Sequence, residues 1–158
     1  MTAGMPASHS GAGFEEMPLQ GVLLGIDHGV QRIGVAVTDA AQTLAMPLET
    51  IVVRTPALTS ARIQQLVRDY RAVGLVIGLP LHMSGEEGVQ AARVREFGEW
   101  LRRETGLPVA YWDERLSTSA AEALLWSRGE SPRKQSGRLD GLAAQVLLEG
   151  YLRHRRAV

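Results

Sequence analysis

The order in which the hydrophobic period changes along this chain restricts its fold more than any other feature. Three strand-like segments come first, with no helix between them. Val22 to Asp27 is a short apolar run closing on an acid. Arg32 to Thr38 alternates, with Ile33, Val35 and Val37 on one face, and Leu48 to Val53 is a third strand. The turn His28-Gly29-Val30-Gln31 makes the first two a hairpin. The period then switches. Ile63, Leu66, Val67 and Tyr70 fall on one helical face, which predicts a helix over about 57–72. Val73 to Leu79 is a continuous apolar run stopped by Pro80, as in a strand buried on both faces. Val89 to Thr105 reads as a second helix, with Val94, Phe97 and Leu101 inward, ended by Gly106-Leu107-Pro108. Val109 to Glu114 is a fifth strand. Ser117 or Thr118 can cap a short helix running to about Ser127, and Gly129 to Gly137 is a polar loop. Leu139, Leu142, Ala143, Val146, Leu147 and Tyr151 define a last amphipathic helix.

A strand meander followed by strand–helix units makes an α/β fold with a five-stranded mixed sheet flanked by helices. Right-handed crossovers put strands one, four and five side by side and parallel, with two and three on the other edge. The expected order is 3-2-1-4-5, the ribonuclease-H-like topology. The 158 residues suit one domain, read as 21–156 behind a disordered leader of residues 1–20. With 45% apolar and 22% charged residues, the chain is neither wholly disordered nor collagen-like. The absence of cysteine removes disulfides, thiolate nucleophiles and cysteine-bound zinc. No apolar run approaches the ~18–20 residues that span a bilayer, and the leader has no secretory pattern. The expectation is therefore a cytoplasmic protein with no membrane partner. Net charge is zero, but residues 128–158 hold seven basic side chains against three acidic ones.

Open sheets of this type carry their sites outside the carboxyl ends of the parallel strands. Asp27 closes the first strand, Asp113 and Glu114 close the fifth, and Asp140 follows the polar loop in the first turn of the last helix. Three carboxylates converging on one point attract hard cations, Mg²⁺ or Mn²⁺. Two such ions about 4 Å apart stabilise the attacking and leaving oxygens of a phosphodiester displacement. Each acid also has an ordinary use. Asp27 can bond turn backbone, Asp113-Glu114-Arg115 can be a surface ion pair, and Asp140 can answer the helix dipole. Their common end of the sheet is what favours the metal reading. His9, His28, His82 and His154 have no metal spacing, and Asp39 reads as a turn residue. No G-x-G-x-x-G or Walker A pattern occurs. Trp100, Trp112 and Trp126 read as packing residues rather than base-stacking ones.

Four segments then match a known family. Leu24 to Asp39 (LGIDHGVQRIGVAVTD) resembles the opening motif of the YqgF/RuvX family of Holliday-junction-resolvase-like, pre-16S ribosomal RNA nucleases. Val76 to Val94, Val109 to Ala121 with its DERLST run, and Leu139 to Leu152 with its D-x-x-A-A pattern resemble that family's later motifs, in the same order. The resemblance implies a nuclease that matures the 5′ end of 16S ribosomal RNA, with a further role in DNA recombination or repair. By motif match, Asp27, the Asp113–Glu114 pair and Asp140 are the catalytic acids, with Asp27, Glu114 and Asp140 as metal ligands. Glu114 is preferred within the pair, because strand alternation lets only one of the two point inward. Arg32, Arg93 and Arg115 match basic positions that hold phosphates, and Arg133, Lys134 and Arg138 extend the grip from the loop. Gln31 stands where the family commonly has Lys, and the long leader is atypical.

The leading expectation is a metal-dependent nuclease on structured nucleic acid, with precursor ribosomal RNA or branched DNA as substrate. The ribosome or its precursor is a further expected partner, and leucine- and arginine-rich helix faces permit a homodimer. The alternative is a non-catalytic RNA- or ribosome-binding module on the same fold. G-I-D-x-G before a hairpin also opens ATP-binding members of this fold, but those need two such domains and this chain is too short.

Overall fold

The computed structural model describes residues 17–114 and 136–157, with side chains over 17–114 and 141–156. The sheet holds five strands: β1 (Val22–His28), β2 (Arg32–Thr38), β3 (Ala45–Val52), β4 (Ala72–Leu79) and β5 (Val109–Asp113). Its helices are α1 (Pro56–Tyr70), α2 (Val89–Thr105) and α3 (Ser136–Ala157). The strand order is β3-β2-β1-β4-β5, as the meander and the crossovers predict. β1 is antiparallel to β2, and β2 to β3. β4 lies parallel to both β1 and β5. The short helix expected to end near Ser127, and most of the loop after it, lie outside the described residues.

Two boundaries moved for identifiable reasons. β3 begins at Ala45, not Leu48, and runs straight through Pro47. Proline lacks the N–H a central strand needs, but β3 is an edge strand, and its register with β2 shifts between Val35 and Ala36, where Pro47 pairs. Helix α3 begins at Ser136, inside the expected loop, so Asp140 is its fifth residue and not in its first turn. At the other end of the chain, Met17 is 4% exposed and packs under the sheet, within the segment read as leader.

The sheet separates two cores. On one face Leu24, Ile26, Ile33, Val35, Leu75 and Ile77 pack against Ile63 and Leu66 of α1 and Val94 and Leu101 of α2. On the other, Leu23, Ala36, Val76 and Ala110 meet Ala144, Leu147, Leu148, Tyr151 and Leu152 of α3. Helix α1 starts cleanly because the Thr55 hydroxyl accepts the Leu58 N–H at 3.1 Å and Pro56 follows it. Helix α2 stops at Gly106, which takes φ +73°, a left-handed conformation glycine adopts without strain. Among the described residues no helix is long and apolar enough to cross a membrane.

Candidate active site

Strand alternation decides which acids share a face. In β1 Leu24 and Ile26 point toward α1 and α2, so Leu23, Gly25 and Asp27 belong to the face covered by α3. In β5 Val109 and Tyr111 belong to the first face and Ala110 and Trp112 to the second. That alternation puts Asp113, the last residue of β5, on the α1/α2 side, while Glu114, just past the strand, brings its carboxylate to the α3 side. Gly78 of β4, one residue past the Ile26–Ile77 pair, lies on that α3 side beside Glu114. A Cβ added at Gly78 would stand 3.2 Å from Glu114 Oε1 and 3.1 Å from Leu147 Cδ2 of α3. Glycine at this position therefore leaves the room that the Glu114 carboxylate occupies.

Helix α3 runs against the direction of β1. Gln145 Nε2 donates to the Ala45 carbonyl at 3.1 Å, and one Arg155 nitrogen donates to Gln42 Oε1 at 3.1 Å, beside the start of β1. Gln42 in turn donates to the Gly21 carbonyl. The amino end of α3 is thereby carried toward the carboxyl ends of the parallel strands. Ala144 and Leu148 close on Gly25, two residues before Asp27. Residue 140 precedes Ala144 by one helical turn, on the same stripe of the helix. Among the described side chains no three His, Asp or Glu groups cluster at metal-binding distance; the side chain of Asp140 is outside that set.

The basic residues divide similarly. Arg32 opens β2 beside the end of β1, and Arg93 lies in the second turn of α2; both are exposed. Arg115, Arg133 and Lys134 lie outside the described residues, as does the side chain of Arg138. Other polar groups turn out to be structural. Asp39 accepts hydrogen bonds from the Thr43 N–H (2.7 Å), the Thr43 hydroxyl (2.6 Å) and the Leu44 N–H (3.0 Å). The Thr43 hydroxyl and those backbone donors hold its carboxyl down at about 2. Glu87 is bound in two places by Arg95, at 2.8 and 2.6 Å, which fastens the loop after β4 to α2. Trp112 packs edge-on to Tyr151 of α3, with ring centroids 6.3 Å apart.

His28 follows Asp27 but faces the other way. Its ring lies 4.3 Å from that of Phe97 in α2. Burial lowers its pKa, with the Glu114 charge acting in the opposite sense. The sequence reading of His28 as a turn residue without metal spacing missed its part in an aromatic group with Phe97 and Trp100. Only α2 supplies those partners, and no spacing within the chain signals them.

A family model described as RuvX, Holliday junction resolvase, matches residues 21–154. The chain belongs to the RuvX family. It is 43% identical over 137 residues to a protein of Rhodopseudomonas palustris strain BisA53 named "Putative pre-16S rRNA nuclease". That match covers 87% of this chain and 84% of the relative. A relative of the same name from Anaeromyxobacter dehalogenans is 45% identical over 132 residues, covering 84% of this chain and 96% of its own. The RuvX fold recurs in Thermus thermophilus RuvC bound to a Holliday junction, at a TM-score of 0.57 and 22% identity over 87% of this chain and 96% of that one. It recurs too in the large terminase nuclease of thermophilic phage G20c with bound zinc, at a TM-score of 0.51 and 18% identity. That match covers 83% of this chain and 81% of the terminase chain. The RuvX membership agrees with the resemblance carried by the four sequence motifs, and it is membership of a nuclease family.

Proposed function

We propose that this RuvX chain is a cytoplasmic, metal-dependent nuclease that hydrolyses phosphodiester bonds in structured nucleic acid. Its substrate is the 5′ region of precursor 16S ribosomal RNA within a ribosome precursor, as the names of its relatives indicate. Branched DNA is the second substrate, in keeping with the family description. The reading is supported by the Glu114 carboxylate beside Gly78 on the α3-covered face, the face to which strand alternation assigns Asp27.

The donor set suits a hard cation. Carboxylate oxygens with no sulfur nearby favour Mg²⁺ or Mn²⁺ over softer metals. Asp27 and Glu114 would hold the ion, with Asp140 joining them from α3. When bound, such an ion supplies positive charge where negative charge develops on the phosphate oxygens. The rest is the work of the chain itself. Arg32 and Arg93 meet the phosphate backbone at the mouth of the site, where paired guanidinium donors fix its orientation. Arg115, Arg133, Lys134 and Arg138 complete the basic surface in this proposal. Asp113, facing α1 and α2, is left as a neighbour of the site and not a ligand.

Labelled precursor RNA incubated with clean protein and Mn²⁺ tests the reading. Asp27→Asn should keep its circular dichroism spectrum and its RNA affinity, yet lose at least about a hundredfold in cleavage, several kcal/mol of charge stabilisation being at stake. Glu114→Gln should match it, while Asp113→Asn should remain within a few-fold of the parent. Undiminished cleavage by Asp27→Asn, or in excess chelator, would sink the mechanism. Salt-sensitive binding with no turnover in any metal would instead make the chain a binding module.

A further inference from the structure

Of the cavity behind the acids, the chemistry above uses only Arg93. The cavity is an open-mouthed hollow of about 420 Å³ between the β1–β2 turn, the start of α1 and the middle of α2. Small-molecule sites span ~300–1,000 Å³. One side is aromatic: the Phe97 ring lies 4.3 Å from His28 and 5.9 Å from Trp100, centroid to centroid. Arg93 and Glu96, both exposed, stand at its rim. Thr59 lines it, is only 3% exposed, and its hydroxyl has no hydrogen-bond partner among the described residues. Its own N–H is given to the Thr55 carbonyl.

The position of this cavity says what fits it. His28 in its wall and Asp27 in the acid site are consecutive, with Cα atoms about 3.8 Å apart, and alternation sends them to opposite faces. A nucleic-acid strand crossing the carboxyl end of β1 has the acids on one side and the mouth of the cavity on the other. Aromatic walls accept the flat face of any base. The Glu96 carboxylate at the rim offers a hydrogen bond to a base edge, and Arg93 is placed for the adjoining phosphate. We propose that this cavity receives one unpaired nucleobase of the substrate strand, splayed out of the helix beside the bond to be cut. The proposal rests on the nuclease reading above and narrows it to substrates with an unstacked nucleotide at a fixed distance from the cut. It also gives Trp100 a base-contacting place, where its sequence context suggested packing alone.

The test uses the whole chain in excess chelator, with RNA oligonucleotides carrying 2-aminopurine at one position after another. Binding should change the emission of the probe at one position only. Trp100→Ala should abolish that change and weaken binding about tenfold, with circular dichroism as the check on folding. Phe97→Leu, which removes the aromatic face and keeps most of the volume, should weaken binding about two- to tenfold. Equal emission at every position, or a response untouched by both variants, overturns the assignment. So does tight uptake of AMP that leaves the oligonucleotide signal unchanged, since the cavity would then serve a free nucleotide. Salt-sensitive binding measured by anisotropy separates the two levels. If it persists without a position-specific signal, only the cavity assignment fails; if the parent protein binds no oligonucleotide, the nuclease reading fails with it.

Discussion

The two faces of the sheet are built from the same five strands and differ in what they can tolerate. Toward α1 and α2, β1 and β4 present Leu24, Ile26, Leu75, Ile77 and Leu79, all buried. Toward α3 the same strands present Leu23, Gly25, Asp27, then Gly74, Val76 and Gly78. A Cβ at Gly25 would lie 3.1 Å from Leu148 and 3.2 Å from the Ala144 carbonyl. Small residues let α3 lie close to the sheet at Gly25 and leave space for a carboxylate at Gly78. The first face contributes stability by volume; the second gives up volume so that charged groups and a helix can come together at the strand ends. A residue pair in one strand can thus serve opposite ends, as Asp27 and His28 do.

The largest effect should come from the aliphatic face. Ile77 is fully buried, and Ile77→Ala should cost about 2–5 kcal/mol in urea unfolding, with cleavage per folded molecule nearly unchanged. A cost below about 1 kcal/mol would mean that this face is not the principal core. Next comes Gly78→Ala. Its new methyl meets only side-chain ends, Glu114 Oε1 and Leu147 Cδ2, so the fold should yield by under about 1 kcal/mol. The displaced carboxylate should lower cleavage by up to about a hundredfold. Equal losses in stability and activity would erase the distinction between the faces.

The smallest effect belongs to an acid at the other end of the sheet, which sharpens the contrast with Asp27. The Asp39 carboxyl is lowered from 3.8 to about 2 by its turn partners. Its folded pKa lies below its unfolded one, so its stabilisation is complete above about pH 4 and drains away as pH falls toward about 2. Asp39 is exposed, and solvent screening keeps the contribution to about 0.5–1 kcal/mol. Asp39→Asn should lose that amount at pH 7, measured by urea unfolding, and destabilise less than the parent on acidification to pH 2. It should cleave as well as the parent.

Helix α2 was legible to the residue, Val89 to Thr105, because a glycine stop and an amphipathic stripe are both local. The hairpin and the strand order were legible because alternation and crossover handedness leave few arrangements. Pro47 hid the start of β3, since a proline usually marks the end of a strand and the register shift that admits it is set by pairing with β2. Met17 could not be assigned to the fold from its neighbours; its burial depends on Gly74 of a strand far along the chain. The choice between Asp113 and Glu114 was half legible: the period says that they oppose each other, not which side holds α3. The cavity lined by Thr59, Phe97 and Trp100 left no trace in the sequence, because its walls come from three separate elements.

The sequence by itself determined the order and type of the elements, and through them a five-stranded mixed sheet with acids at its strand ends. Period, turn chemistry and chain connectivity act between near neighbours, so they can be read from the string. Only the tertiary structure decided which face each acid serves, how near α3 comes to β1, and that a cavity opens behind His28. Those depend on side chains distant in sequence filling or leaving the same volume, and packing has no periodicity along the chain.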